Sequence, residues 1–374
     1  MPIRLSFCGD LCLGLRVRTV IEQHGPDFPY RHLGAVLSEA DLTIANLECH
    51  LSNPAGLGHR NGRMAIAPEQ ARGLCGSGIK LVNLANNHVM DNGEAGLRAT
   101  LDALDAWGLP HFGAGHRLSQ AENVLYLKHE GLRLAFIGAC DFSPHFASDA
   151  SGGIAPLDEP ALLARVREAC GQADALIVSL HADVEFSPHP APWRIRLSRQ
   201  LVEAGARLVI QHHPHVVQGV ETYRNGLIAY SLGNFVFSVA DNAYQSRWPG
   251  TREGLLLHVT LDPDTPDAPP SWSITALGID DTHSPYPLEG EALDGFIARF
   301  DTLCSELTHP DTARQGWRTR ARAEYLSRLK DAYWDVRRGR VRGALAELAC
   351  LRRPEYRRIA SDLLGMGRMT KARR

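Results

Sequence analysis

Five apolar runs in this sequence stop abruptly on residues that carry chemistry, and this pattern limits the folds open to the chain more than any other feature. The central one is Leu81-Val82-Asn83-Leu84-Ala85-Asn86-Asn87-His88-Val89-Met90-Asp91. It begins as a buried strand and ends on two amides, an imidazole and a carboxylate. The other four end at Gly9-Asp10, at Asn46-Leu47-Glu48, at His181 and at Gln211-His212-His213-Pro214-His215. In an α/β sheet the crevice beyond the carboxyl ends of the strands is where ligands bind.

Between these runs the periodicity predicts helices at Tyr30 to Glu39, Pro68 to Gly76, Gly93 to Trp107, Glu159 to Cys170 and Pro192 to Ala204. Leu97, Leu101 and Leu104 line one face of the third. The predicted strands are Ile3 to Cys8, Ala40 to Leu47, Asp174 to Leu180 and Ala206 to Ile210, beside the central run. Two hairpins are expected: Val124 to Leu127 with Leu132 to Gly138, and Val216 to Thr222 with Leu227 to Tyr230. The Asn225-Gly226 turn favours the second. Gly254 to Leu261 and Trp272 to Leu277 read as closing strands. The order predicts a mixed sheet or two packed sheets with outer helices. Beyond about Glu289 strand signals vanish, so residues 1–285 are expected as one α/β domain and 286–374 as a separable helical region. From Asp311 onward that region holds 18 Lys and Arg against 7 Asp and Glu. Such a tail is either a solvated helical surface or a site for an anionic partner.

The chain has 374 residues, 44% of them apolar, which is enough for a real core. Its net charge of −2 gives no overall pull toward nucleic acid or membrane. The eight cysteines are scattered without a Cys-x-x-Cys pair. That spacing, with no signal peptide visible and no run long enough to cross a bilayer, points to a cytoplasmic location. The oligomeric state is not legible.

Asp10, Glu48, Asn87, His181, His213 and His215 form the constellation that carries chemistry. Carboxylates, an amide oxygen and imidazoles suit borderline divalent ions and are too rich in nitrogen for calcium. A shared carboxylate can hold two cations close together, and such a pair can polarise a phosphoryl oxygen. In an extended segment His213 and His215 would face one way. His88 offers a proton near neutral pH, and Asp91 can accept its ring N–H.

The sequence resembles the bacterial capsule-synthesis protein CapA family, also called poly-γ-glutamate biosynthesis proteins. The resemblance rests on Gly9-Asp10, Ala40-Asp41 through Glu48, Leu84 to His88 with Asp91 and Gly93, and Gly113-Ala114-Gly115. It continues with His181 and Glu185, His212 to Gln218, and Tyr230 to Phe235. It implies a calcineurin-like metallophosphatase fold, an αββα sandwich of two mixed sheets, here with a C-terminal helical appendage. It also implies one or two divalent ions (Mn, Fe, Zn or Mg). Asp10 and His215 would serve one, Asn87, His181 and His213 the other, with Glu48 bridging. His88 would be the proton donor, Asp91 its orienting partner, and Glu185 and Asn234 would sit at the rim. The substrate would be an anionic small molecule or polymer, either hydrolysed or bound by an accessory protein of polymer synthesis.

Three departures stand out. Metallophosphatases carry Asp-x-His on the first strand, whereas this chain has Asp10-Leu11-Cys12. That spacing places the Cys12 thiol near the metal, as His212 is by its neighbours. The family's His-Trp-Gly-x-Glu is His181-Ala182-Asp183-Val184-Glu185 here. Gln211 stands where a Gly normally precedes the His block. Family members are also commonly secreted or anchored, and this sequence shows neither feature.

Overall fold

The computed structural model describes residues 2–58, 62–143, 145–240, 242, 244–338, 340–351 and 354–363. In chain order the strands are β1 (Ile3–Leu11), β2 (Leu42–Leu47), β3 (Leu81–Asn83), β4 (His111–Phe112), β5 (Ala114–Gly115), β6 (Leu125–His129), β7 (Leu132–Cys140) and β8 (Gly153–Ile154). They continue with β9 (Ala175–His181), β10 (Leu208–His212), β11 (Val220–Tyr223), β12 (Gly226–Ala229), β13 (Glu253–Leu261), β14 (Ser271–Ile279) and β15 (Pro285–Pro287). The longer helices are α1 (Leu15–His24), α2 (Gly93–Ala106), α3 (Glu159–Cys170), α4 (Pro192–Glu203), α5 (Gly290–Glu306), α6 (Pro310–Arg337), α7 (Val341–Cys350) and α8 (Pro354–Leu363).

Two mixed sheets form the centre. One runs β15-β14-β13-β1-β2-β3-β4, the other β11-β12-β10-β9-β7-β6. Both faces of the inner strands are buried, which is why they read as nearly pure apolar sequence. In β9, Ala175 and Ile177 point into the space between the sheets, where they share a cluster with Leu5, Phe7, Ile44 and Leu81. Leu176, Val178 and Leu180 point outward to Leu162, Val166, Leu197 and Leu201 of α3 and α4. The outer face of the first sheet is covered by α1 and α2, through Val17, Ile21, Leu97, Leu101 and Leu104. The layers are therefore helix, sheet, sheet, helix, the αββα sandwich.

Several local expectations need correction. The helix expected over Tyr30 to Glu39 is a 3₁₀ turn at Phe28–Tyr30 and a short helix at Gly34–Ser38. That over Pro68 to Gly76 is likewise split at Gln70–Arg72 and Gly73–Gly76. Glycine at the start of each short helix, without a capping side chain, explains why neither segment joins into one helix. The strand expected from Val216 starts only at Val220, because Pro214 and the turn after it break the pairing. β1 does not stop at Cys8. It runs on to Leu11 through an irregularity in its pairing with β2 between Phe7 and Asp10. Such a bulge turns a strand's side chains, here moving Asp10 out of the apolar alternation.

The C-terminal helices start on the sandwich itself. Phe296 and Phe300 of α5 are buried in the cluster between the sheets. Trp317 and Ala321 of α6 are buried against α3 and α4.

Candidate metal centre

Register brings the polar strand ends into rows. Asp10 pairs with Asn46, and Asn46 with Asn83. Across the sandwich Cys140 pairs with His181, and His181 with His212. The two rows converge at one end of the sheets.

The described residues there contain two groups able to hold a metal ion, and they share Glu48. One is Asp10, Glu48 and His215; the other is Glu48, His181 and His213. Asn87 stands beside the second, its Oδ1 2.8 Å from His181 Nε2, which is itself 3.1 Å from His213 Nδ1. His215 Nδ1 lies 3.4 Å and His212 Nδ1 3.3 Å from the Asp10 carboxylate. Asp10 also accepts from Asn46 Nδ2 at 2.9 Å and from the His213 backbone N–H at 3.2 Å.

Glu48 is the anomaly. It is fully buried, and neither carboxylate oxygen has a hydrogen-bond partner. Around its Oε1 stand His181 Nε2 at 3.6 Å, His215 Nε2 at 3.7 Å and His88 Nε2 at 3.9 Å. Burial and the facing Asp10 carboxylate push Glu48 well above the ordinary carboxylate range. Burial also pushes Asp10 up, but His212 and the charges of His215 and His181 outweigh it and hold Asp10 low. Burial, then the neighbouring His213, push His181 well down, and burial takes His213 to about 4. Two buried acids side by side are costly unless a cation joins them. Nitrogen and oxygen donors in this mixture fit a borderline divalent ion.

The backbone here is unusual. His213 has φ +98° and His215 φ +56°, so the segment is not extended as expected. Left-handed residues other than glycine are uncommon and concentrate at functional sites. The turn, rather than strand alternation, aims both imidazoles inward. Gly9 and Gly233 are required by close approach: a Cβ on Gly9 would lie 2.2 Å from the Gly233 carbonyl oxygen. That proximity lets Asp10 N–H donate to Gly233 O at 2.9 Å and lays the Ser231 to Phe235 segment along β1.

His88 and Asp91 meet as expected, Nδ1 lying 2.8 Å from Oδ2. Both line a cleft of 730 Å³ with Asn87, Glu185, His215 and Tyr244. Glu185 accepts a hydrogen bond from Tyr244 at the wall of this cleft. Asn234, expected at the rim, is instead fully buried behind His215, its Oδ1 2.9 Å from Nδ1. Its amide nitrogen donates to the Thr251 carbonyl at 2.9 Å, which leaves it braced rather than free for a ligand. Cys12 is buried and belongs to neither ligand group, its Sγ 3.9 Å from Met64 Sδ. Asn46, Asn83 and Asn86 are further site residues that the sequence does not single out. Asn83 Nδ2 donates to Asn46 Oδ1 at 3.0 Å, orienting the Asn46 amide that holds Asp10. Their recurrence at strand ends was the available signal.

The other two departures resolve into one feature. Arg194 is fully buried. It donates to Asp183 at 2.9 Å, Gln211 at 2.7 Å, Gln218 at 3.2 Å and the Tyr230 carbonyl. Asp183 also accepts from Ala191 N and from Trp317 Nε1, each at 2.8 Å. Asp183 is thus a partner of Arg194 and faces away from the metal groups, and Gln211 completes the same network. An indole from α6 has come to the loop where the family's own aromatic is missing.

Residues 4–239 match the family described as bacterial capsule synthesis protein PGA_cap. The chain belongs to this family. It is 29% identical over 273 residues to the capsule biosynthesis protein CapA of Bacillus anthracis, covering 69% of this chain and 64% of that one. It is 29% identical over 308 residues to the PGA biosynthesis protein CapA of Bacillus subtilis, covering 81% and 77%. A probable polyglutamine synthesis accessory protein of Mycobacterium tuberculosis is 26% identical over 233 residues, covering 56% and 59%. The match thus spans a little under two thirds of the Bacillus anthracis relative. No helix among the described residues is long and apolar enough to cross a membrane.

Proposed function

We propose that this chain is a metal-dependent hydrolase acting on a phosphoester or a polyanionic carboxylate polymer of the capsule or poly-γ-glutamate type. The observation that carries the reading is Glu48, buried with both oxygens unpartnered between Asp10 and three imidazoles. Asp10, Glu48 and His215 would hold one divalent ion, and Glu48, Asn87, His181 and His213 a second. A cation bound there supplies Lewis acidity and charge neutralisation toward the scissile group. His88 stands at the cleft with Asp91 on its Nδ1, which leaves Nε2 to donate a proton to a leaving oxygen. Asn46 and Asn234 keep Asp10 and His215 in place. The seven described free cysteines support a reducing, cytoplasmic setting.

The second reading is an accessory protein that binds the polymer without cleaving it. The Mycobacterium tuberculosis relative, a probable polyglutamine synthesis accessory protein, favours it. So does Cys12, which stands where metallophosphatases have a histidine. One experiment separates the two. Metal content is measured in freshly purified wild type, His88→Ala and His213→Ala. Turnover is then measured on phosphodiester and γ-glutamyl substrates with added Mn. A hydrolase keeps metal in His88→Ala and loses turnover by about 10² to 10⁴. His213→Ala loses both. Bound metal without turnover of either substrate class selects the accessory reading.

A further inference from the structure

The cleft over the metal centre continues into a second one. Leu15, Arg63, Asn242 and Tyr244 line both, and the second encloses 650 Å³. Arg16, Arg18 and Arg63 line it, while Thr19 and Ser238 add neutral hydrogen-bonding groups. No acidic side chain lines it among the described residues.

The three arginines differ in their engagement. Arg18 donates to the carbonyls of Gly62 and Ala65 at 3.0 and 2.8 Å, which fixes the turn that carries Arg63. The guanidinium groups of Arg16 and Arg63 are exposed and make no hydrogen bond or ion pair with any described residue. Leu15 joins the two clefts with φ +54°, an outlier for a bulky residue, and its N–H donates to the Arg63 carbonyl at 2.7 Å. By contrast, the acids of the first cleft are committed, Asp91 to His88 and Glu185 to Tyr244.

We propose that the second cleft is an anion subsite in which Arg16 and Arg63 take carboxylate or phosphate groups of a linear polyanion whose neighbouring unit lies at the metal centre. The proposal rests on the metal centre being the substrate site. Two unpaired guanidinium groups lining one cleft repel each other until an anion lies between them. Their planar forks match both carboxylate and phosphate. A substrate with one anionic group fills the first cleft only, whereas a chain of them fills both, so the pair favours length.

The test uses the full chain loaded with Mn, an Arg16→Ala/Arg63→Ala variant and a variant with lysine at both positions. Binding of a γ-linked glutamate oligomer and of inorganic tripolyphosphate is measured by calorimetry at two salt concentrations. The alanine variant should weaken binding on the order of tenfold and flatten its salt dependence. The lysine variant should recover part of the loss, with Mn content and melting temperature unchanged in both. Loss confined to the oligomer assigns the subsite to carboxylates, and loss confined to tripolyphosphate assigns it to phosphates. Wild-type affinity in the alanine variant overturns the proposal, as does a wild type that binds neither probe. The metal reading fails separately. Oligomer binding that survives in His213→Ala and still depends on Arg16 and Arg63 keeps the subsite without a metal centre. Turnover in wild type with normal binding in the arginine variants does the reverse.

Discussion

Two buried polar clusters lie on either side of one short stretch of chain, and they are built on opposite terms. Asp183 faces the Arg194 cluster, in which a fully buried guanidinium meets a carboxylate, two amide oxygens and a carbonyl. His181, two residues earlier, faces the Glu48 cluster, in which two carboxylates meet imidazoles and, among the described residues, no arginine or lysine pairs with them. Burial is the same in both. The first is complete with protein groups alone, whereas the second leaves Glu48 without a partner. A buried network satisfied internally positions loops, whereas one that leaves a buried carboxylate unpartnered can take up a cation.

The most severe way to break this comparison is to remove the C-terminal helices. Truncation after residue 289 deletes Phe296, Phe300 and Trp317, all buried, and with them a donor to Asp183. Each buried aromatic contributes roughly 1.5–3 kcal/mol. The product should be insoluble or lack a cooperative melt, measured by circular dichroism and gel filtration. A folded, metal-binding core would instead support the separable region expected from composition.

Next in size is Asp183→Ala, which strands the Arg194 charge and should cost about 3–5 kcal/mol in chemical denaturation. Adding Arg194→Met should recover much of that loss, since the uncompensated charge is gone. The Glu48 cluster should answer with the opposite sign. In chelator, Glu48→Gln should stabilise the chain by about 1–3 kcal/mol by removing a buried acid that must take up a proton on folding. With saturating Mn it should lose the metal-dependent rise in melting temperature that the wild type shows.

The pH dependence of the metal-free chain sharpens the same point. Glu48 is raised, so above the ordinary carboxylate range the native state holds a proton that the unfolded state has lost, and stability falls as pH rises. His213, lowered to about 4, acts oppositely, adding stability as pH rises from about 4 to its ordinary value near 6.5. His181 shifts in the same direction as His213. Glu48→Gln should remove the falling component, so that its metal-free stability declines less with rising pH than that of the wild type. The smallest effect is expected for Trp317→Phe, about 0.5–1.5 kcal/mol for one hydrogen bond, with metal content unchanged.

Much of this site was readable because its ligands follow buried strands, and a buried strand is announced by consecutive apolar residues. Asp10, Glu48, Asn87, His181 and the His block all sit where such runs end, and His88 reaches Asp91 within a single turn. Backbone twists and distant partners were not readable. Nothing local signals that His213 and His215 are left-handed, or that Asn234 is buried behind an imidazole. The Asp183–Trp317 hydrogen bond joins residues 134 apart in sequence, so neither residue announces the other. Arg194 did leave a trace. It falls on the stripe of α4 that carries Leu197 and Leu201, where a charge requires a buried partner.

The metal groups draw on both halves of the sandwich. Asp10 lies in β1, and Glu48 and Asn87 follow β2 and β3, all of one sheet, while His181 ends β9 and His213 and His215 follow β10 of the other. An ion gripped from both sides would act as a tie-bar. The sheets could not splay at that end until the tie let go, so loading would slow the opening of the sandwich as well as shift its equilibrium. The tie would also close a long stretch of chain into a loop, shrinking the freedom of any partly opened form. Metal supply would then set the lifetime of the protein against proteolysis, independently of anything the site does to a substrate.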